Sequence, residues 1–320
     1  MNFPRTLPAG GDIIPGVANA VAVASAKGGV GKSTVAVNLA LALAADGARV
    51  GLMDADIYGP SLPLMLGVRD APEMDGEGRI QPVQVHGLST MSMGFLAEED
   101  APVIWRGPLL GQATQQFLQQ VNWGELDILL IDLPPGTGDI QLTLSQIVAL
   151  SGAVIVTTPQ SVALEDVERG IAMFDKVEIE TLGIIENMCY YLCPHCDERH
   201  MLFGEGGGES LAQRAGVDLL GQLPQDDRLR EAGDTGKPLM VTDPTAPQSQ
   251  AFAEVGRALV RALSELTRVR PTAVCGAGRG DDLSIFCHLA RPVALQNWMQ
   301  PSVQPSIRLT RVSPSSMIRP

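Results

Sequence analysis

A short apolar run, Val21 to Ala24, passes directly into Ser25-Ala-Lys-Gly-Gly-Val-Gly-Lys-Ser-Thr34, and a pattern rich in Ala and Leu continues from Lys32 to Ala45. Strand, glycine loop and helix in that order leave the chain few options. Glycines let backbone N–H groups close around phosphate oxygens, and the N-terminus of the following helix adds partial positive charge. In such a loop the lysine before the serine reaches the β- and γ-phosphates, and the serine hydroxyl ligates Mg²⁺. The expected phosphate-binding set is Lys27, Gly28, Gly29, Val30, Gly31, Lys32, Ser33 and Thr34, with ATP and Mg²⁺ as ligands. Lys32 is the expected catalytic charge and Ser33 a metal ligand. Ala26 stands where this pattern usually carries glycine. A conformation normally eased by glycine must there be reached by alanine, which predicts weaker or slower nucleotide turnover.

From residue 20 to about 265 short β-branched runs alternate with longer helical patterns, as in a parallel sheet covered on both faces. The fold class is therefore α/β, a P-loop NTPase with a mostly parallel sheet and helices on both sides. Strands are expected at Val21–Ala24, Arg49–Met53, Asp127–Ile131, Ala153–Thr157, Leu182–Ile185 and Leu219–Leu223. Helices are expected at Lys32–Ala45, Pro108–Val121, Ala163–Val177, Gly208–Ala215 and Gln248–Thr267. Residues 69 to 100 carry only short apolar runs and read as a loop or hairpin excursion. Ligands of such sheets bind beyond the carboxyl ends of the strands.

Two of those strand ends carry carboxylates. Leu126-Asp-Ile-Leu-Leu-Ile-Asp132 is an apolar strand closed by an Asp that can hold Mg²⁺ directly or through water. The following Pro134-Pro-Gly-Thr-Gly-Asp139 can set the N–H of Gly136 on a γ-phosphate and move when that phosphate leaves. Leu52-Met-Asp54-Ala-Asp56 ends another strand with two carboxylates on alternate positions, hence on one side.

Lys plus Arg number 23 against 36 Asp plus Glu, a net charge of −13, so no general electrostatic attraction draws the chain towards nucleic acid or an anionic membrane, and a nucleic-acid role would need a local basic patch. No apolar run reaches the length of a membrane span, and residues 1 to 15 lack the layout of a signal peptide, which predicts a cytoplasmic protein with no membrane partner. Residues 1–19 read as an N-terminal extension, 20–268 as the ATPase domain, and 269–320, rich in Pro, Ser and Gln, as a disordered tail.

The chain has five cysteines, an odd number, and two form Cys193-Pro-His-Cys196, which suits reduced thiols with a metal or redox task rather than a disulfide framework. Both thiolates can face one metal. Two ligands are half of a four-ligand site. The others come either from the same pair in a second subunit, around a shared [4Fe-4S] cluster, or from Cys189, His200 or both, around zinc.

With Ala26-Lys-Gly-Gly-Val-Gly-Lys-Ser-Thr34, Asp54-Ala-Asp-Ile-Tyr-Gly-Pro-Ser61, Trp105-Arg-Gly-Pro108, Asp132-Leu-Pro-Pro-Gly-Thr-Gly-Asp139, Thr157-Thr-Pro-Gln160, Glu186-Asn-Met188 and Cys193-Pro-His-Cys196 in this order, the chain resembles the Mrp/ApbC iron–sulfur cluster carriers. These belong to the deviant Walker A class, related to MinD and ParA. The resemblance implies ATP hydrolysis, a homodimer in which Lys27 reaches the partner's nucleotide, Asp56 positioning the attacking water and Asp54 supporting the metal. It further implies Asn187 against the adenine, a cluster on Cys193 and Cys196, and apo iron–sulfur proteins as clients.

Overall fold

The computed structural model describes residues 3, 14–56, 59–68, 70–95, 119–136, 141–142, 148–193, 195–196 and 198–269. Trp105-Arg-Gly-Pro108, the end of the Asp132 loop, most of the helix expected at Pro108–Val121, and the tail after 269 lie outside them.

Strand β1 (Ala20–Ala24) leads into helix α1 (Lys32–Ala45), β2 (Val50–Asp54), the short α2 (Leu62–Leu66), the hairpin β3 (Val83–Val85) and β4 (Leu88–Ser92), then β5 (Ile128–Asp132). There follow β6 (Gly152–Thr157), α3 (Ser161–Lys176), β7 (Thr181–Glu186), the small hairpin β8 (Tyr191–Leu192) and β9 (Arg199–His200), and α4 (Gly207–Ala215). The described chain closes with β10 (Leu219–Gln222), α5 (Asp227–Thr235), α6 (Leu239–Thr242) and α7 (Pro247–Val269). Among the described residues the main sheet has eight strands in the order β10-β7-β6-β1-β5-β2-β4-β3, and only β3 runs antiparallel to its neighbour.

Strand alternation divides the core into two layers. On β1, Val21 and Val23 face one layer and Ala20, Ala22 and Ala24 the other; on β5, Ile128 and Leu130 oppose Leu129 and Ile131 in the same way. The first layer receives α1, α5, α6 and α7, the second α3 and α4. Helix α1 is buried nearly all round, which explains its run of Val, Ala and Leu without a polar face. Gly256 on α7 lets that helix close onto Leu39 and Leu43 of α1. No helix among the described residues is long and apolar enough to cross a membrane.

The excursion expected over 69–100 contributes to the sheet. His86 and Gly87, at φ 49° and 80°, turn the chain so that Val85 pairs with Leu88, and β4 then lies parallel to β2 with Ser92 beside Asp54. The run Leu88 to Ser92 is short and largely polar in sequence, and it is its place between β2 and β3, against α1, that buries it. Part of the expected N-terminal extension also belongs to the domain: Ile14 and Val17 are buried, and the Ala18 N–H donates to the Leu126 carbonyl at 2.9 Å.

Candidate functional site: a phosphate cradle and a cysteine hairpin

Parallel register brings the polar ends of the central strands together. Asp54 on β2 aligns with Asp132 on β5, and Asp132 with Val23 on β1, whose chain runs on into the glycine loop. Gly29 and Gly31 take φ of 81° and 79°, the left-handed region in which a side chain is strained. Gly31 is further restricted because a Cβ there would collide with the Asn187 amide. Among the described residues, positive φ outside glycine occurs only at His86, Glu178 and Met188. Ala26 is therefore not held in a glycine conformation, and the backbone strain expected there is absent.

Lys32 and Asp132 form the centre of the cradle. The Lys32 ammonium is 2.5 Å from Asp132 Oδ1, with Lys32 6% exposed and Asp132 fully buried. Burial pushes the Asp132 carboxyl up, while the Lys32 ammonium and the Ser33 hydroxyl work against that shift. Asp132 Oδ2 is buried without a hydrogen bond. An unpaired carboxylate oxygen beside the Ser33 hydroxyl is the hard-oxygen donor set that Mg²⁺ takes, so these residues fit that ion.

Asp54 is engaged throughout. Its Oδ1 accepts from the Asp56 N–H at 3.0 Å, and its Oδ2 from the Ser61 and Leu62 N–H groups at 2.9 and 3.2 Å and from the Ser92 hydroxyl at 3.2 Å. Burial first, and then the neighbouring Asp132, push it up to about 6. Asp54 thus fixes the loop that carries Asp56, whose own charge works with burial to push Asp132 up.

Two expected phosphate ligands have partners within the chain. The Gly136 N–H donates to the Ser25 carbonyl at 2.9 Å, joining the two loops across β1 and β5. The Lys27 ammonium pairs with Asp166 on α3 at 2.6 Å, and Arg169 reaches the same carboxylate at 3.0 Å. Asn187 is buried at the end of β7, and its side-chain amide donates to the Val30 carbonyl at 2.9 Å. It braces the glycine loop from beneath.

The cysteines lie on the β8–β9 hairpin. Tyr191 pairs with His200, and the Cys193 N–H donates to the Glu198 carbonyl at 3.0 Å. The N–H groups of His195 and Cys196 and the Cys196 side chain turn towards the Cys193 sulfur and lower its pKa. Cys193, Cys196 and His200 bring their ligand atoms within 4.8 Å of one another, Cys193 half-buried and the other two exposed. Cys189 belongs elsewhere: it is buried, its thiol donates to the Glu186 carbonyl at 2.9 Å, and burial pushes its pKa far up.

The family described as ParA, the NUBPL iron-transfer P-loop NTPases, matches residues 16–260. The chain belongs to this family.

Among NUBPL relatives, the iron–sulfur cluster transfer protein NUBPL of Dictyostelium discoideum is 49% identical over 252 residues, 78% of this chain and 78% of that one. An iron–sulfur cluster carrier protein of Pseudomonas fragi is 51% identical over 247 residues, 76% of this chain and 86% of that one. A solved nucleotide-binding protein from Archaeoglobus fulgidus, in complex with ADP, is similar with a TM-score of 0.65 at 40% identity over 75% of this chain and 93% of that one. The cell division ATPase MinD of Pyrococcus furiosus shares the fold, with a TM-score of 0.58 at 22% identity over 76% and 98%.

Within this NUBPL-family domain the structure gathers Lys32, Ser33, Asp54, Asp56 and Asp132 at one sheet end, with Asn187 behind the loop. The cysteine pair stands apart on its own hairpin. Sequence reading missed Ser92, which lies in the segment taken as an excursion, and Asp166, an ordinary helix acid until the fold sets it against Lys27.

Proposed function

We propose that this chain is an ATP-hydrolysing carrier that receives an iron–sulfur cluster and delivers it to apoproteins in the cytoplasm. The observation that carries this reading is one domain, matched along its length by the iron-transfer family, that bears both a phosphate cradle and an exposed Cys193–Cys196 pair. Lys32 and the glycine-loop N–H groups bind and orient the phosphates. Ser33 and Asp132 would hold Mg²⁺, which would neutralise phosphate charge there. Asp56, on the loop fixed by Asp54, positions the attacking water. A γ-phosphate that draws the Gly136 N–H away from Ser25 would move the Asp132 loop, which is a route from nucleotide state to the rest of the domain. Lys27, released from Asp166, supplies positive charge to the partner's nucleotide in a homodimer. The cargo is a [4Fe-4S] cluster bound by two cysteines from each of two subunits, with neither nucleic acid nor membrane as a partner.

Anaerobic reconstitution with iron and sulfide tests this directly. It should give a brown dimer with about one four-iron cluster per two chains, since such a cluster takes four thiolates. Cys193→Ser or Cys196→Ser should abolish the colour, and the loaded protein should activate an apo iron–sulfur enzyme. A colourless wild-type product would sink the cargo assignment.

A further inference from the structure

The β8–β9 hairpin carries a third metal-ligating side chain whose place is set by register. Tyr191 stands opposite His200 and Cys193 opposite Glu198, so Cys193 and His200 are diagonal neighbours on one face of the hairpin. Arg199 projects to the other face, where its guanidinium lies 4.5 Å from the centre of the Tyr190 ring and helps hold β9 in place. The loop between the strands returns Cys196 to Cys193, with the His195 and Cys196 N–H groups directed at the Cys193 sulfur. Such N–H contacts stabilise a metal-bound thiolate and set the direction of its lone pairs.

We propose that Cys193, Cys196 and His200 of a single subunit form a three-ligand site for one divalent transition metal ion, Zn²⁺ or Fe²⁺, with a fourth position open to exchange. Their ligand atoms already lie within 4.8 Å of one another. Tetrahedral bonds of about 2.3 Å to sulfur and 2.0–2.1 Å to nitrogen need edges of roughly 3.4–3.8 Å, a closure that side-chain rotation on an exposed hairpin supplies. Two thiolates cancel the charge of the ion, and a neutral imidazole completes the set without adding any. Cys189 is excluded by its burial and its bond to the Glu186 carbonyl. With Cys196 and His200 exposed, the ion can enter and leave without opening the domain.

The site uses the same thiolates as the bridged cluster, so the two occupancies exclude each other: one subunit holds a single ion, two subunits hold the cluster. The site itself stands on the hairpin geometry and does not require the cluster. Titrating the reduced, metal-free full chain with Co²⁺ under anaerobic conditions, with sedimentation in parallel, tests it. The expected result is about one Co²⁺ per chain at monomer mass, with charge-transfer and visible bands of a tetrahedral thiolate site. His200→Ala should weaken Zn²⁺ binding, measured against a chelator, by about tenfold or more, a difference of about 1.4 kcal/mol. His200→Cys should restore affinity, Cys189→Ser should leave it unchanged, and His200→Ala should still reconstitute the cluster. One Co²⁺ per two chains in a dimer, or wild-type affinity in His200→Ala, would overturn the proposal. Loss of cluster reconstitution with the Co²⁺ site intact would instead strike the carrier function alone.

Discussion

Lys32 is 6% exposed and sits on a fully buried Asp132, whereas Cys196 and His200 stand in water on a hairpin of two-residue strands. The first region is fixed from every side. Three parallel strands set the height of its carboxylates, Asp54 accepts four hydrogen bonds, and Asn187 supports the glycine loop. The second is fixed by its own short register and a few N–H contacts to sulfur. The contrast fits what each is proposed to hold. Charge developing on a phosphate is stabilised best by groups already in place in a dry site, while cargo that has to leave needs open coordination and little surrounding structure.

Lys32→Ala gives the largest expected break in this contrast. It strands a buried charge, so the domain should lose about 3–5 kcal/mol in urea unfolding along with nucleotide turnover. Asp132→Asn in the same chain should recover part of the stability and none of the turnover.

Asp54 gives the next effect, and its sign is set by burial. Its folded pKa, about 6, lies above the ordinary 3.8, so the folded state binds this proton more tightly than the unfolded chain. The stability that it contributes is present in full below about pH 4 and is lost as the pH rises through about 6, up to about 3 kcal/mol at 1.36 kcal/mol per unit. Asp54→Asn should flatten that part of the stability–pH curve; a parallel offset with no change of slope would refute the assignment.

Gly31→Ala places a side chain at positive φ and against Asn187, which should cost about 1–3 kcal/mol and weaken ADP binding. Asn187→Ala removes the collision but not the backbone strain, so the double variant should lose less than the sum, as a thermal-melt cycle can measure.

At the far end of the scale, Cys193→Ser should leave the urea midpoint of the metal-free protein unchanged while cluster binding disappears. A large loss of stability there would mean that the hairpin is structural after all. Asp166→Asn, which removes the ion pair of a half-exposed Lys27, should likewise spare the midpoint and raise the ATP-dependent dimer fraction in sedimentation.

Much of the fold was legible because local signals agreed. The helix Lys32–Ala45 was read to the residue, and the strand ends at Asp54 and Asp132 to within one position. The hairpin offered within 69–100 is present as β3 and β4, but its place in the main sheet was not legible, because Leu88 to Ser92 alternates poorly and is buried only once it lies between β2 and β3. The strain expected at Ala26 came from a glycine pattern, but φ depends on how the loop is seated. In the cysteine region the sequence offered Cys189 and His200 as equal additions to the pair. Register brought His200 to the same face of the hairpin as Cys193, and burial set Cys189 apart.

The sequence by itself determined the chemistry available: a glycine loop for phosphate, carboxylates at strand ends, and two thiols three residues apart. These are local facts, since loop spacing and strand period act over a few residues. The tertiary structure alone decided the pairings, Lys32 with Asp132, Lys27 with Asp166, Asp54 with Ser92, and Cys193 with His200 rather than Cys189. Except in the hairpin, those partners lie far apart along the chain. Which of them meet depends on strand order, register and burial, which no short window of sequence contains.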